Sequence, residues 1–374
     1  MNTMLQCNRP SIKEVDIEKV SDQLRSGNLA QGDKVAELEW RMSRLTDREN
    51  SAAYSSATSI FEAIFAYIGV EEGDEIILSP LTFKSVPYAV IRAGATPVFI
   101  DTNEYYLSDW NKIDSLLNKN TKVIISTSLY GMPDPNFDRL LKSLDYYPDV
   151  WLIEDNAQSI GAKYNKTDHI GSWESRSNFS IFSFYATKNI TGGEGGVVVF
   201  NEDTDFFHSY RNNGICKNFF NKNCVGTNMR MTDIEATLIL SQLDRVKQVT
   251  ETRNNQANIY HNMLSIENLQ FKNLDKNATH AYHHYTLTLP KNLDRSYVLA
   301  CLESYGIHAG IYYEYLVNYD KSFTAPIRAS NTPNALLQSK QAICLPLGET
   351  LSHSDIKYIA QKFEEIINSE STAN

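Results

Sequence analysis

Cysteine is scarce in this chain, and the few residues do not form a pattern. Cys7, Cys216, Cys224, Cys301 and Cys344 are scattered over 374 positions, odd in number and without any C-x-x-C spacing. That excludes a disulfide framework and points to reduced thiols in a cytoplasmic protein. Long apolar runs are missing as well. No stretch approaches the ~20 residues of a membrane span, and the first residues, MNTMLQCNRPSIKEVDIEKV, contain nothing like a signal-peptide core. Positive charge is in deficit: 35 Lys and Arg stand against 45 Asp and Glu, a net charge of −10. Nucleic acids and anionic membranes need a basic footprint, so neither is an expected partner. A nucleotide-bearing small substrate stays open, since a local cationic pocket could take it. Internal repeats and low-complexity tracts are absent too.

What remains is ordinary globular composition, 42% hydrophobic and 21% charged, in a chain long enough for two lobes. Residues 11–25 and 33–45 carry helical apolar spacing (Val15, Val20, Leu24; Val35, Leu38, Met42), broken between them by Gly27 and Gly32. From about residue 51 the pattern alternates. The apolar runs 75–79, 96–100, 122–127 and 150–154 read as buried strands, with helical segments such as Ile60–Ile68 and Ser85–Ala93 between them. This predicts an α/β fold with a mostly parallel sheet, whose sites lie at the carboxyl ends of the strands. Further strands are expected at 180–184 and 195–200, and one long helix over Thr232–Val249. The strand-like run 283–289 and helices near Tyr297–Tyr305 and Ser354–Ile367 suggest a smaller α+β lobe. The expected division is 1–245, a large domain with an N-terminal helical segment, and 246–374.

The residues with chemistry fall in four stretches: YSSATS (54–59), IEDNAQSIGA (153–162), SFYATKNITGGEGG (183–196) and GTNMRM (226–231). Lys188 follows an apolar strand and precedes glycines, which would pack its stem and confine its amine. Burial lowers an ammonium pKa and so makes the amine a better nucleophile at neutral pH. Asp155 stands at a strand end, where an inward carboxylate is costly without a partner. It could instead cap a helix, and Glu154 is a rival that alternation places on the opposite face. Ala57, Thr58 and Ser59 sit where a strand gives way to a helix, a ready phosphate site that is compatible with simple capping. The GGEGG cluster is not a dinucleotide fingerprint, because it follows a lysine turn and precedes a strand; its glycines suit a close backbone turn. His280, His283 and His284 lack a nearby carboxylate or cysteine to complete a metal set, and read as sheet-surface or substrate-wall residues.

These four stretches, in this order, together with PLTF (80–83), PVFID (97–101), LYGMPDP (129–135) and LPL (345–347), resemble the DegT/DnrJ/StrS family of sugar aminotransferases. The resemblance runs over nearly the whole chain. It implies a fold-type-I enzyme that uses pyridoxal 5′-phosphate (PLP) and passes through the pyridoxamine form. Lys188 matches the family's Schiff-base lysine and proton carrier, and Asp155 the partner of the pyridine nitrogen. Gln158 matches a position near the ring hydroxyl, and Phe83 the stacking aromatic, although an aromatic there is often plain core. Ala57, Thr58, Ser59 and Ser183 match phosphate ligands. Asn228 matches one delivered by the neighbouring subunit, which implies a homodimer. Arg230, Tyr312, Tyr313 and Tyr315 are candidates for substrate contact. Asn156 is a mild departure, since a second alanine is common there. The implied reaction carries an amino group from L-glutamate to a nucleotide-linked keto-deoxyhexose. The alternatives are a sugar dehydratase-like relative, against which Lys188 speaks, a transaminase for a non-sugar ketone, and a PLP-binding regulator without turnover.

Overall fold

A computed structural model of the chain describes residues 4–7, 9–172, 175–202, 204–216, 219–220, 224–265, 277–320, 328–329 and 331–371. Its centre is a sheet of eight strands in the order Arg328–Ala329, Thr96–Phe99, Glu75–Leu78, Thr121–Thr127, Trp151–Asp155, Phe179–Ser183, Gly196–Phe200, Asn50–Tyr54. Neighbouring strands run parallel from the first of these to Phe179–Ser183, and Gly196–Phe200 is antiparallel to both of its neighbours. The apolar runs thus become strands buried on both faces, which is why they read as continuous rather than alternating.

Side chains alternate across this sheet and build two cores. Val198 and Phe200 join Ala52, Tyr54, Ile60, Phe61 and Ile64 on one face. Val197 and Val199 join Ala53, Val35, Leu38, Met42 and Ile239 on the other. The first face is covered by the helices Ala57–Ile68 and Ser85–Arg92, the second by Asp33–Thr46 and Asp233–Leu243. Helix Glu14–Ser26 packs outside Asp233–Leu243.

The long helix expected over Thr232–Val249 is two helices, Asp233–Leu243 and Val246–Met263. Thr232 starts the first with a capping box, its hydroxyl accepting from Glu235 N at 3.3 Å. At the break, Arg245 donates through Nη2 to Asp16 Oδ2 at 2.7 Å and to Ser11 O at 3.0 Å, anchoring the N-terminal segment. Beyond it, Val246–Met263, Arg295–Ser304 and His353–Ser371 surround a two-stranded sheet, Tyr285–Thr288 with Ala342–Leu345, around a separate core that includes Tyr260, Leu302, Ile356 and Phe363. The two regions exchange strands: Leu5–Gln6 pairs with Ile307–His308, and Arg328–Ala329 pairs with Thr96–Phe99. Among the described residues no helix is long and apolar enough to cross a membrane.

Candidate active site

At the carboxyl ends of the strands lies a cavity of about 490 Å³. It is built by the turns that end the strands Thr121–Thr127, Trp151–Asp155 and Phe179–Ser183, by the start of helix Ala57–Ile68, and by a wall from the second core region. Lys188 and Asp155 both line it.

The lysine turn is tied down on two sides. Thr191 Oγ1 donates to Phe184 O at 3.0 Å and accepts from Gly193 N at 2.8 Å, closing the turn on itself. Asn189 donates to Ala281 O at 2.9 Å, and its Oδ1 meets His283 Nδ1 at 3.2 Å. Burial pushes the Lys188 ammonium down to about 8, against the pull of the Asp155 carboxylate. Burial likewise pushes the Asp155 carboxyl above the ordinary carboxylate range, although the Ala157 amide and Lys188 favour its ionised form. On both partners, desolvation outweighs mutual attraction. A further cation beside Asp155 would therefore be welcome.

Helix Ala57–Ile68 points its first turn at the cavity. Ser56 is its N-cap, and its hydroxyl accepts from Ser59 N at 3.2 Å. Ser59 Oγ turns inward to donate to Ser56 O at 2.8 Å, so Ala57 and Thr58 line the cavity and Ser59 does not. Gly196 stands behind this turn. A Cβ there would lie 2.6 Å from Ala57 N and 2.8 Å from Ser56 C, so only glycine lets the strand approach the helix start. Free amides at a helix N-terminus receive an anion. Ser183 completes that side, its buried Oγ accepting from Tyr185 N at 3.4 Å.

The facing wall is aromatic. Gln158 Oε1 accepts from Tyr130 N at 2.7 Å, and its Nε2 donates to Tyr313 OH at 3.2 Å. Tyr130 OH donates to Tyr312 O. The Tyr312 ring stacks on His284, with centroids 4.0 Å apart and planes at 22°. Phe83, 53% exposed, sits at the mouth, 6.4 Å from the Tyr313 ring. His283 and His284 line the cavity just before strand Tyr285–Thr288 rather than within it, and burial keeps both neutral, well below the ordinary histidine pKa. His280 lies apart, stacked on Tyr282 at 3.9 Å. Among the described residues no His, Cys, Asp and Glu cluster could hold a metal ion.

Besides Ser59, three expected site residues stand outside this cavity. Asn228 is exposed on the segment that bridges to Tyr54, and Arg230 beside it donates to Asn212 Oδ1 at 2.8 Å. Tyr315 is 79% exposed. Conversely, sequence reasoning passed over Ser56, Thr82, Thr127, Tyr185 and Glu194, all of which line the cavity or its rim. Thr127 could have been found, since it is the last residue of an apolar strand that ends beside Asp155.

The fold with this site defines an α/β protein of the aminotransferase kind. The chain belongs to the DegT/DnrJ/EryC1/StrS aminotransferase family, whose model matches residues 10–364. It is 28% identical to the spore coat polysaccharide biosynthesis protein SpsC of Bacillus subtilis, over 98% of each chain. It is 29% identical to a UDP-4-amino-4-deoxy-L-arabinose–oxoglutarate aminotransferase of Shewanella sediminis, over 98% of this chain and 99% of that protein. Among solved structures, Spr1654 of Streptococcus pneumoniae in its PMP-form superposes with a TM-score of 0.88 over 99% of both chains at 24% identity, a likeness of fold.

The residues present suit PLP. They offer an amine of lowered pKa, a buried carboxylate that lacks a full partner, a helix start cleared by Gly196 for a phosphate, and a buried wall hydroxyl, Thr82 Oγ1, that makes no hydrogen bond.

Proposed function

We propose that this chain is a cytoplasmic, PLP-dependent transaminase that moves the amino group of L-glutamate to a nucleotide-linked keto-deoxyhexose. The observation that carries the reading is the placement of Lys188 and Asp155 in one buried cavity that opens onto the start of helix Ala57–Ile68. Bound PLP supplies an aldehyde for an amine and a ring that accepts electrons from the substrate carbon.

Lys188 Nζ is the amine that holds the cofactor. Its lowered pKa leaves it unprotonated at neutral pH far more often than an ordinary lysine. Once free, the same Nζ would be placed to move a proton at the amine-bearing carbon of the substrate. Asp155 keeps the ring nitrogen protonated. The amides of Ala57 and Thr58, with Ser183, would receive the phosphate, and Phe83 and Gln158 would hold the ring. Tyr312 and Tyr313 form the substrate wall. A second copy of the chain delivers Asn228, which suits its exposure; Arg230 and the exposed Tyr315 are further candidates for substrate contact.

The sugar acceptor is supported by the two relatives, one named for polysaccharide biosynthesis and one for a UDP-linked amino sugar. Purified protein supplied with PLP should change colour on adding L-glutamate. It should then aminate one of a panel of TDP-, UDP- and GDP-linked keto sugars, read by mass spectrometry. Amination of simple 2-oxo acids with none of the sugars would refute the acceptor class. An absorbance that no amino donor shifts would refute turnover.

A further inference from the structure

Strands Thr121–Thr127 and Trp151–Asp155 pair in parallel with Thr127 opposite Asp155 and Ser126 opposite Glu154. Paired residues point to the same face, so Thr127 and Asp155 share the cavity while Ser126 and Glu154 share the opposite layer. Asp155 is 5% exposed, and one of its oxygens accepts a hydrogen bond from Ala157 N at 3.2 Å. A buried carboxylate needs more than one donor. Thr127 is 8% exposed, and its hydroxyl makes no hydrogen bond of regular geometry, although it lies close enough to Asp155 to favour the ionised carboxylate. An unpartnered hydroxyl next to an under-satisfied carboxylate, both lining one cavity, needs only a small rotation to serve it.

We propose that Thr127 is a positioning residue for Asp155: its hydroxyl donates to the carboxylate once the ring nitrogen is in place, and aims the free oxygen at that nitrogen. The proposal rests on PLP binding in this cavity. The other charged or titratable groups around Asp155 are Lys188 from the turn after Phe179–Ser183 and Tyr313 from the aromatic wall, with Tyr185, Tyr312, His283, His284 and the exposed Glu194 further round. None of these is on the strand that carries Thr127, so its hydroxyl can be removed without moving them.

The test compares wild-type, Thr127→Val and Thr127→Ser chains by titrating each full-length apoprotein with PLP across a range of pH, reading absorbance. Circular dichroism confirms that each variant is folded. Loss of a hydrogen bond to a charged group predicts that Thr127→Val binds PLP on the order of tenfold more weakly. Without that donor the Asp155 carboxylate takes up its proton at higher pH, so the acid-side loss of affinity should set in earlier as pH falls. Thr127→Ser, which keeps the hydroxyl, should retain both the affinity and the pH profile. Wild-type affinity and profile in Thr127→Val would overturn the proposal. So would a Thr127→Ser chain that behaves like valine, since that result assigns the effect to packing. A wild-type chain that binds no PLP would instead refute the underlying function.

Discussion

Glu154 and Asp155 are consecutive residues of one strand, 1% and 5% exposed, yet they face opposite layers and are treated differently. Glu154 is saturated. Ser177 Oγ donates to it at 2.6 Å, Ser180 Oγ at 3.0 Å and Asn156 Nδ2 at 3.1 Å, and Tyr164 OH adds another donor. Ser177 Oγ also accepts from the buried Arg48, at 2.8 Å, so a complete ionic network fills that side. Asp155 has one regular hydrogen bond, a cavity in front of it and a lysine nearby whose own charge is disfavoured. A carboxylate with all its donors holds structure, and one left short of donors beside a cavity awaits a ligand.

That contrast can be broken in order of expected effect. Lys188→Ala should cost roughly a thousandfold or more in the rate of glutamate turnover, if one atom is both nucleophile and proton carrier as proposed. Asp155→Asn should lower the same rate roughly a hundredfold, with thermal stability unchanged or slightly raised, since an ill-satisfied buried charge is gone. Glu154→Gln should show the reverse: a loss of about 3 kcal/mol in denaturant unfolding, from stranding Arg48, and near wild-type turnover in the folded fraction. If Glu154→Gln and Asp155→Asn behaved alike, the division between faces would be wrong. Gly196→Ala should lose about 1–3 kcal/mol through backbone overlap at Ala57, and should also weaken PLP binding measured by titration. The smallest effect is on pH. Incorporation of PLP into apoprotein should quicken as pH rises through about 8, where Lys188 loses its proton. Asp155→Asn should move that midpoint lower, because the carboxylate's attraction raises it.

The division of faces was legible in the sequence because it follows from alternation alone: adjacent residues of a strand cannot share a side. The central strands were legible for a similar reason, since burial on both faces leaves short apolar runs between polar turns. What stayed hidden depended on distant partners. The break at Asp244–Arg245 is marked by Arg245 reaching Asp16 and Ser11, and the pairing of Leu5–Gln6 with Ile307–His308 has no local signature. His283 reads as a strand residue, but its contact with Asn189 sets it beside the lysine turn. Thr127 looked like one more residue of a strand until register placed it opposite Asp155.

Chemical trapping decides whether Lys188 is the side chain that holds the cofactor. PLP-loaded protein is reduced with borohydride, digested, and mapped by mass spectrometry. A stable pyridoxyl adduct is expected on the peptide containing Lys188, absent from Lys188→Ala. An adduct on another lysine, or none after saturation with PLP, would contradict it.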